Sequence, residues 1–227
     1  MNLKIIHRAN ARRIIARRHP DGTYSLTVPA GMAENDWRPI ARKLLDSFNN
    51  EASAQWTPRF HSGQTIECGQ FTITLTEQSA KPDFVIATRT GSLINIAKGS
   101  ALEWGTRHTD MNINSLLMKV AHSIAPHILL PEAKATAARL GVEVKGWKIS
   151  NGHKTLGSCR SDGMINLSHI NVFLPEHLRN YIVCHELAHR SEMNHSPGFH
   201  RICNRYLDGA EAELKRELKS YNWPIIR

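Results

Sequence analysis

The chain has 227 residues, enough for one large domain or two small ones. At 41% hydrophobic and 22% charged it has the make-up of a globular protein rather than a disordered one, and no apolar run approaches the ~20 residues of a membrane span. A formal charge of +9 and a pI near 9.7 bias it toward acidic partners, nucleic acid above all.

Met1 to Arg8 holds no long apolar segment ending in a small-residue cleavage site, so it does not read as a secretory signal. Cys68, Cys159, Cys184 and Cys203 are scattered without a CxxC pair. They read as reduced thiols of a cytoplasmic protein, not as a disulfide framework or a structural zinc knot. Arg8, Arg12, Arg13, Arg17 and Arg18 crowd the N-terminus. They suit a solvated strand face as well as a phosphate-contacting patch, and no aromatic residues interleave with them to stack on single-stranded bases.

Arg12 to Arg18, a turn at His19-Pro20-Asp21-Gly22, and Thr23 to Pro29 read as a β-hairpin, with Tyr24, Leu26 and Val28 alternating toward a core. Trp37, Ile40, Ala41, Leu44, Leu45 and Phe48 recur at helical spacing, with Asn35 or Asp36 as N-cap, and this helix should cover the hairpin. A second hairpin joins Thr65 to Glu67, through Cys68-Gly69, to Phe71, Ile73 and Leu75; short strands follow at Phe84 to Ala87 and Leu93 to Ala97. Residues 1–105 are therefore expected to form a β-rich module with one helix. His7, His19 and His61 stand alone there and read as surface or packing residues.

The character changes near Gly105, so 106–227 is expected to be a second domain. Met111, Leu116, Leu117, Val120, Ala121 and Ile124 give a helical stripe, and Pro131 is expected to open a separate helix that Gly141 closes. His122 and His127 read as packing or surface residues of this stretch. Three strands are expected at Val142 to Ile149, Lys154 to Cys159 and Met164 to Ser168, the last two joined by a turn at Ser161-Asp162-Gly163. Leu174-Pro175-Glu176 opens the next helix, Phe199, Ile202, Cys203 and Tyr206 line the one after it, and a charged helix from Gly209 to Tyr221 ends the pattern.

The chemistry concentrates in Cys184-His185-Glu186-Leu187-Ala188-His189. The i, i+4 spacing puts the imidazoles of His185 and His189 on one helical face about a turn apart, the separation two nitrogen ligands of one zinc need. Glu186 sits where its carboxylate can act as general base on a water. Leu178 and Ile182 share the stripe, so the face should point inward. Glu192 lies roughly 10 Å along the axis from His185, too far to share an ion. The third ligand must therefore come from beyond the helix: Asn194 is expected as a left-handed C-terminal residue, Ser196 and Pro197 as N-cap and first residue of a new helix, and His195 in the turn between them. Three protein ligands with one open position is a catalytic rather than a structural zinc pattern. Beside such a helix a sheet edge can accept an extended peptide by backbone pairing, and Met164-Ile165-Asn166-Leu167 is the candidate edge, although a paired interior strand would read the same. Gly157-Ser158-Cys159 reads as small residues packed under the helix, as a close backbone approach to it, or as a hydroxyl near the substrate.

Lys154 to Cys159, Gly163 to Leu167, the HELAH segment, Asn194-His195-Ser196 and Phe199 together resemble the YgjP-like metallopeptidase family, related to the SprT/Spartan proteases. The resemblance covers about Lys134 to Tyr206 most closely. It implies His185, His189 and His195 as ligands of one Zn2+ per chain and Glu186 as the catalytic carboxylate. It implies an α+β fold in which a β-rich N-terminal module precedes a minimal zincin-type domain of helices, small sheet, HExxH helix and closing helices. Three positions depart from the family's pattern: Leu156 and His200 stand where Trp is usual, and Arg190 where a hydrophobic residue is usual. The expected function is zinc-dependent peptide-bond hydrolysis of a protein or peptide substrate, with Met164, Ile165, Asn166 and His200 as substrate-binding residues. Two alternatives are a zinc hydrolase of a nucleotide phosphoanhydride, for which no Gly-rich phosphate loop is present, and a DNA-associated protease docking on DNA or another polyanion through its basic N-terminal face. No membrane partner is expected.

Overall fold

The computed structural model describes residues 3–18, 23–53, 56–78 and 80–227, so the turn expected at 19–22 lies outside the described residues. The chain divides into two compact units, Met1–Thr57 and Pro58–Arg227. The expected division at 105 instead falls inside the second unit.

In the first unit, β1 (Leu3–Arg8), β2 (Ile15–Arg18) and β3 (Tyr24–Pro29) form a sheet in the order β1-β3-β2. The β2–β3 pair is the expected antiparallel hairpin, while β1 adds in parallel. Helix α1 (Glu34–Ser53) starts slightly before the expected caps. It covers the sheet: Trp37 and Ala41 pack with Leu26 and Val28, whereas Ile40 is turned out, 45% exposed. The side chains of Leu45 and Phe48 lie outside the described ones. Arg8, Arg12, Arg13 and Arg17 are exposed.

In the second unit, β4 (Thr65–Glu67), β5 (Thr72–Gln78), β6 (Val85–Thr90) and β7 (Leu93–Gly99) form a sheet in the order β4-β5-β7-β6. Ile73, Leu75, Ile94 and Ile96 of this sheet share one core with Ile113 and Leu117 of the long helix α2 (Arg107–Leu140). That shared core is why no boundary falls at 105: the change there is from strand to helix, not from one domain to another.

Helix α2 runs 34 residues without the expected break at Pro131; both Pro126 and Pro131 lie inside it. Each interior proline removes a backbone bond at a cost of about 3 kcal/mol. Against that, Ile113, Leu117, Ile124, Ile128 and Leu129 are buried, each contributing roughly 1.5–3 kcal/mol, so packing prevails over propensity. Thr106 caps the start by accepting from the Thr109 N–H, and Gly141 closes the end at φ 65°, as the sequence pattern suggests. His122 and His127 are exposed on its surface.

A third sheet carries β8 (Gly146–Ser150), β9 (Gly157–Cys159) and β10 (Met164–Ser168) in the order β8-β10-β9. The expected strands at 142–149 and 154–159 are thus shorter at their starts. β10 pairs in parallel with β8 and antiparallel with β9. It is the central strand, which overturns its reading as a sheet edge. A buried 3-10 turn (His169–Phe173) leads to α3 (Glu176–Ala188), then α4 (Pro197–Tyr206) and α5 (Glu211–Ser220). Among the described residues no helix is long and apolar enough to cross a membrane.

Helix α3 is tied to α2 by a nearly buried ion pair. Arg179, 4% exposed, donates Nε and Nη2 to the Glu132 carboxylate at 2.8 and 2.7 Å, and Nη1 to the Leu174 carbonyl at 2.7 Å. The pairing fixes α3 against the core before its C-terminal turn reaches the site.

Candidate active site

His185 and Glu186 lie in the last turn of α3, and His189 follows directly, still in right-handed helical conformation. Leu178 and Ile182 are buried on the same stripe, so the imidazoles face inward as the spacing predicts. Beyond the helix the backbone turns through bonds from the Ser191 and Glu192 N–H groups to the Ala188 carbonyl. Asn194 does not take the expected left-handed conformation; among the described non-glycine residues Asp208 does, at φ 52°. The turn instead closes through Ser196, whose N–H donates to the Asn194 carbonyl at 2.8 Å. Ser196 caps α4 by accepting from the Phe199 N–H, and its hydroxyl donates to Glu192 at 3.0 Å. That bond holds the Glu192 carboxylate.

The turn brings His195 back to the other two rings. One nitrogen from each of His185, His189 and His195 lies within 4.8 Å of the others, a set that could hold a metal ion. The Nε2 atoms of His185 and His195 are 3.1 Å apart. For comparison, Zn–N bonds of about 2.0–2.1 Å set tetrahedral nitrogens roughly 3.4 Å apart. Phe199, fully buried, forms the floor, its ring centroid 4.9, 4.5 and 4.7 Å from those of His185, His189 and His195.

Protonation states suit metal binding. Burial first, then the neighbouring histidines, lowers the His185 pKa to about 4, so its ring is neutral at physiological pH. Burial and His189 also lower that of His195. His189 Nδ1 lies 3.0 Å from the Glu192 carbonyl, which accepts from an Nδ1–H and leaves the lone pair on Nε2. His185 Nδ1 is buried without a hydrogen-bond partner, and on that side the ring is held by packing against Phe199 and Tyr181. Three imidazole nitrogens are a donor set that zinc favours over harder cations.

Glu186 is 5% exposed, its Oε2 is buried without a partner, and burial raises its pKa to about 7. β9 lies directly against it. A Cβ on Gly157 would lie 2.7 Å from Glu186 Cγ and overlap the carboxylate, so only glycine allows this approach. The small-residue segment is therefore a close backbone approach to the helix at Gly157, one of its sequence readings.

The expected substrate-binding residues separate. Ile165 is fully buried and points into the core; Met164 lies on the opposite face of central β10. Alternation along a strand is the same at the centre of a sheet and at its edge, which is why the sequence pattern points to the wrong strand. Asn166 donates to Ser158 at 3.2 Å and lines a cavity of about 330 Å3 with Ser150, His153, Lys154 and Gly157. Among the described residues β8 and β9 are the two edges of this sheet, and of the two it is β9 that lies against Glu186. His200 Nδ1 pairs with the buried Glu211 carboxylate at 2.7 Å, its ring centroid 6.5 Å from that of His195. Glu211 as its partner is not legible in sequence, since the two sit on different helices. Arg190 donates Nε to the Glu143 carbonyl at 3.2 Å and lies against Gly163.

A family model described as YgjP-like, metallopeptidase domain, matches residues 12–221. No curated protein matches the chain. Among solved structures, that of the metallopeptidase zymogen of Pyrococcus abyssi abylysin is similar at 22% identity, over 44% of this chain and 100% of that one, with a TM-score of 0.37.

Proposed function

Because the chain belongs to the YgjP-like metallopeptidase family, we propose that it is a zinc-dependent peptidase in which His185, His189 and His195 hold the ion and Glu186 is the general base. The observation that carries this reading is the meeting of three imidazole nitrogens beside a buried, otherwise unpartnered carboxylate. Zinc, when bound, supplies Lewis acidity toward a carbonyl and a lowered pKa for water. Glu186, with a pKa raised to about 7, takes a proton from the attacking water and passes it to the leaving amine. Gly157, lacking a side chain, leaves room for that carboxylate, and Phe199 holds the three rings in place. An extended protein or peptide substrate adds to the free edge of β9, where backbone pairing would lay its scissile bond beside Glu186. Asn166 and the cavity it lines then face one substrate side chain.

The test is hydrolysis of an unstructured protein such as casein. Wild type should cleave it, a chelator should stop cleavage, and Glu186→Gln should lower the rate by roughly 10²–10⁴-fold with metal retained. Cleavage by Glu186→Gln at the wild-type rate, or release of phosphate from nucleotides in place of proteolysis, would overturn the reading. The exposed Arg8, Arg12, Arg13 and Arg17 favour an additional polyanionic partner such as DNA.

A further inference from the structure

Three helices end at one hollow. Arg139 lies in the last turn of α2, Arg190 just beyond α3, and Arg205 in the last turn of α4; all three line a cavity of about 620 Å3 together with Glu143, Ser191 and Tyr206. The ion pairs among the described residues include none of these arginines. Three arginines thus line one cavity against the single carboxylate of Glu143, with Arg190 also donating to the Glu143 carbonyl and lying against Gly163, and Arg205 lying over the Tyr206 ring.

Cations near helix C-termini offset the macrodipole, which is the plainer account of each arginine taken singly. It does not account for the three together. The end carbonyls are already capped by backbone: the Gly141 N–H donates to Ala137 and Ala138, the Ser191 N–H to Ala188, and the Gly209 N–H to Asn204. Nor does a helix end require its arginine to share a hollow with two others, where like charges repel. Guanidinium forks match the geometry of phosphate oxygens, and the cavity falls in the size range of small-molecule sites, larger than a bare phosphate needs.

We propose that the hollow between the ends of α2, α3 and α4 binds a phosphate-bearing anion. The site is separate from the imidazole cluster, although Arg190 follows His189 in sequence. It stands whether or not the chain is a peptidase.

The experiment is calorimetric titration of the full chain carrying His195→Ala, with chelator present, so that phosphate cannot report on a bound metal. Inorganic phosphate and ADP are titrated at matched ionic strength in chloride buffer. We expect saturable binding that weakens at least tenfold in Arg139→Gln/Arg205→Gln, both exposed positions. Ser191→Glu, which places a carboxylate at the rim, should weaken it similarly and serves if the double variant does not fold. Arg12→Gln/Arg13→Gln should bind as the parent does. Tighter binding of ADP identifies a nucleotide ligand, and equal binding identifies the phosphoryl group alone as what is recognised. Absence of saturable binding by both, equal binding in both hollow variants, or loss in the Arg12/Arg13 variant would overturn the proposal.

Discussion

Glu186 and Gly157 meet at the tightest point of the site, where the carboxylate fills the space a side chain at 157 would need. Gly157→Ala should therefore displace the carboxylate. Misplacement by about 1 Å can cost roughly 100-fold in rate, so activity should fall by about that factor with metal content unchanged. Parallel measurement of casein cleavage and bound zinc checks this; loss of zinc together with activity would mean that the strand, not the carboxylate, had moved. Much of the site is readable from residues alone, because the spacing of His185 and His189, the acid between them and the return of His195 are local features of backbone geometry. The partners of those side chains are not readable. The Glu192 carbonyl that orients His189 and the Glu211 carboxylate that holds His200 depend on how a turn and a separate helix fold back.

At the scale of elements, α3 presents the site only if it stays seated on α2, and the Arg179–Glu132 pair is the main polar tie between them. Arg179→Ala leaves the partner carboxylate without its cation and should cost about 3–5 kcal/mol in urea unfolding. A change near zero would show that apolar packing alone seats the helix. His169, in the buried 3-10 turn, makes a pH-dependent contribution. Burial lowers its pKa below 6.5, offset in part by its contact with the Ser150 carbonyl at 3.0 Å. The folded chain then binds this proton less readily than the unfolded one, so stability should fall as pH drops below 6.5 toward the lowered folded value. Unfolding midpoints at pH 7.5 and 5.5 should differ less in His169→Gln than in wild type; an identical difference would remove the assignment. Strand existence is legible from alternation, but strand order is not. The pattern of Met164 to Ser168 is the same for a central and an edge strand, and the parallel pairing with β8, on the side away from β9, decides it. Pro131 likewise carries a correct local signal that burial of the surrounding face overrides.

Across the whole molecule, the change of character near residue 105 is a change of secondary structure within one core, because Ile73, Leu75, Ile94 and Ile96 pack with α2. Composition shifts track local structure; unit boundaries depend on which faces share a core, and that is non-local. The positive charge, +9 over the full sequence, is also a property of the whole chain. If the first unit docks on DNA, affinity should fall steeply with salt. Arg12→Ala/Arg13→Ala/Arg17→Ala should then make that salt dependence shallower, by up to about 0.9 in slope for each phosphate left without its arginine. A salt slope unchanged by those substitutions would place any docking elsewhere. The most direct test of the central claim is metal stoichiometry of the purified 227-residue chain by mass spectrometry, wild type beside His195→Ala. One zinc per chain in wild type, and far less in a folded His195→Ala protein, is the predicted result. Equal zinc in both would contradict a site built from three imidazoles.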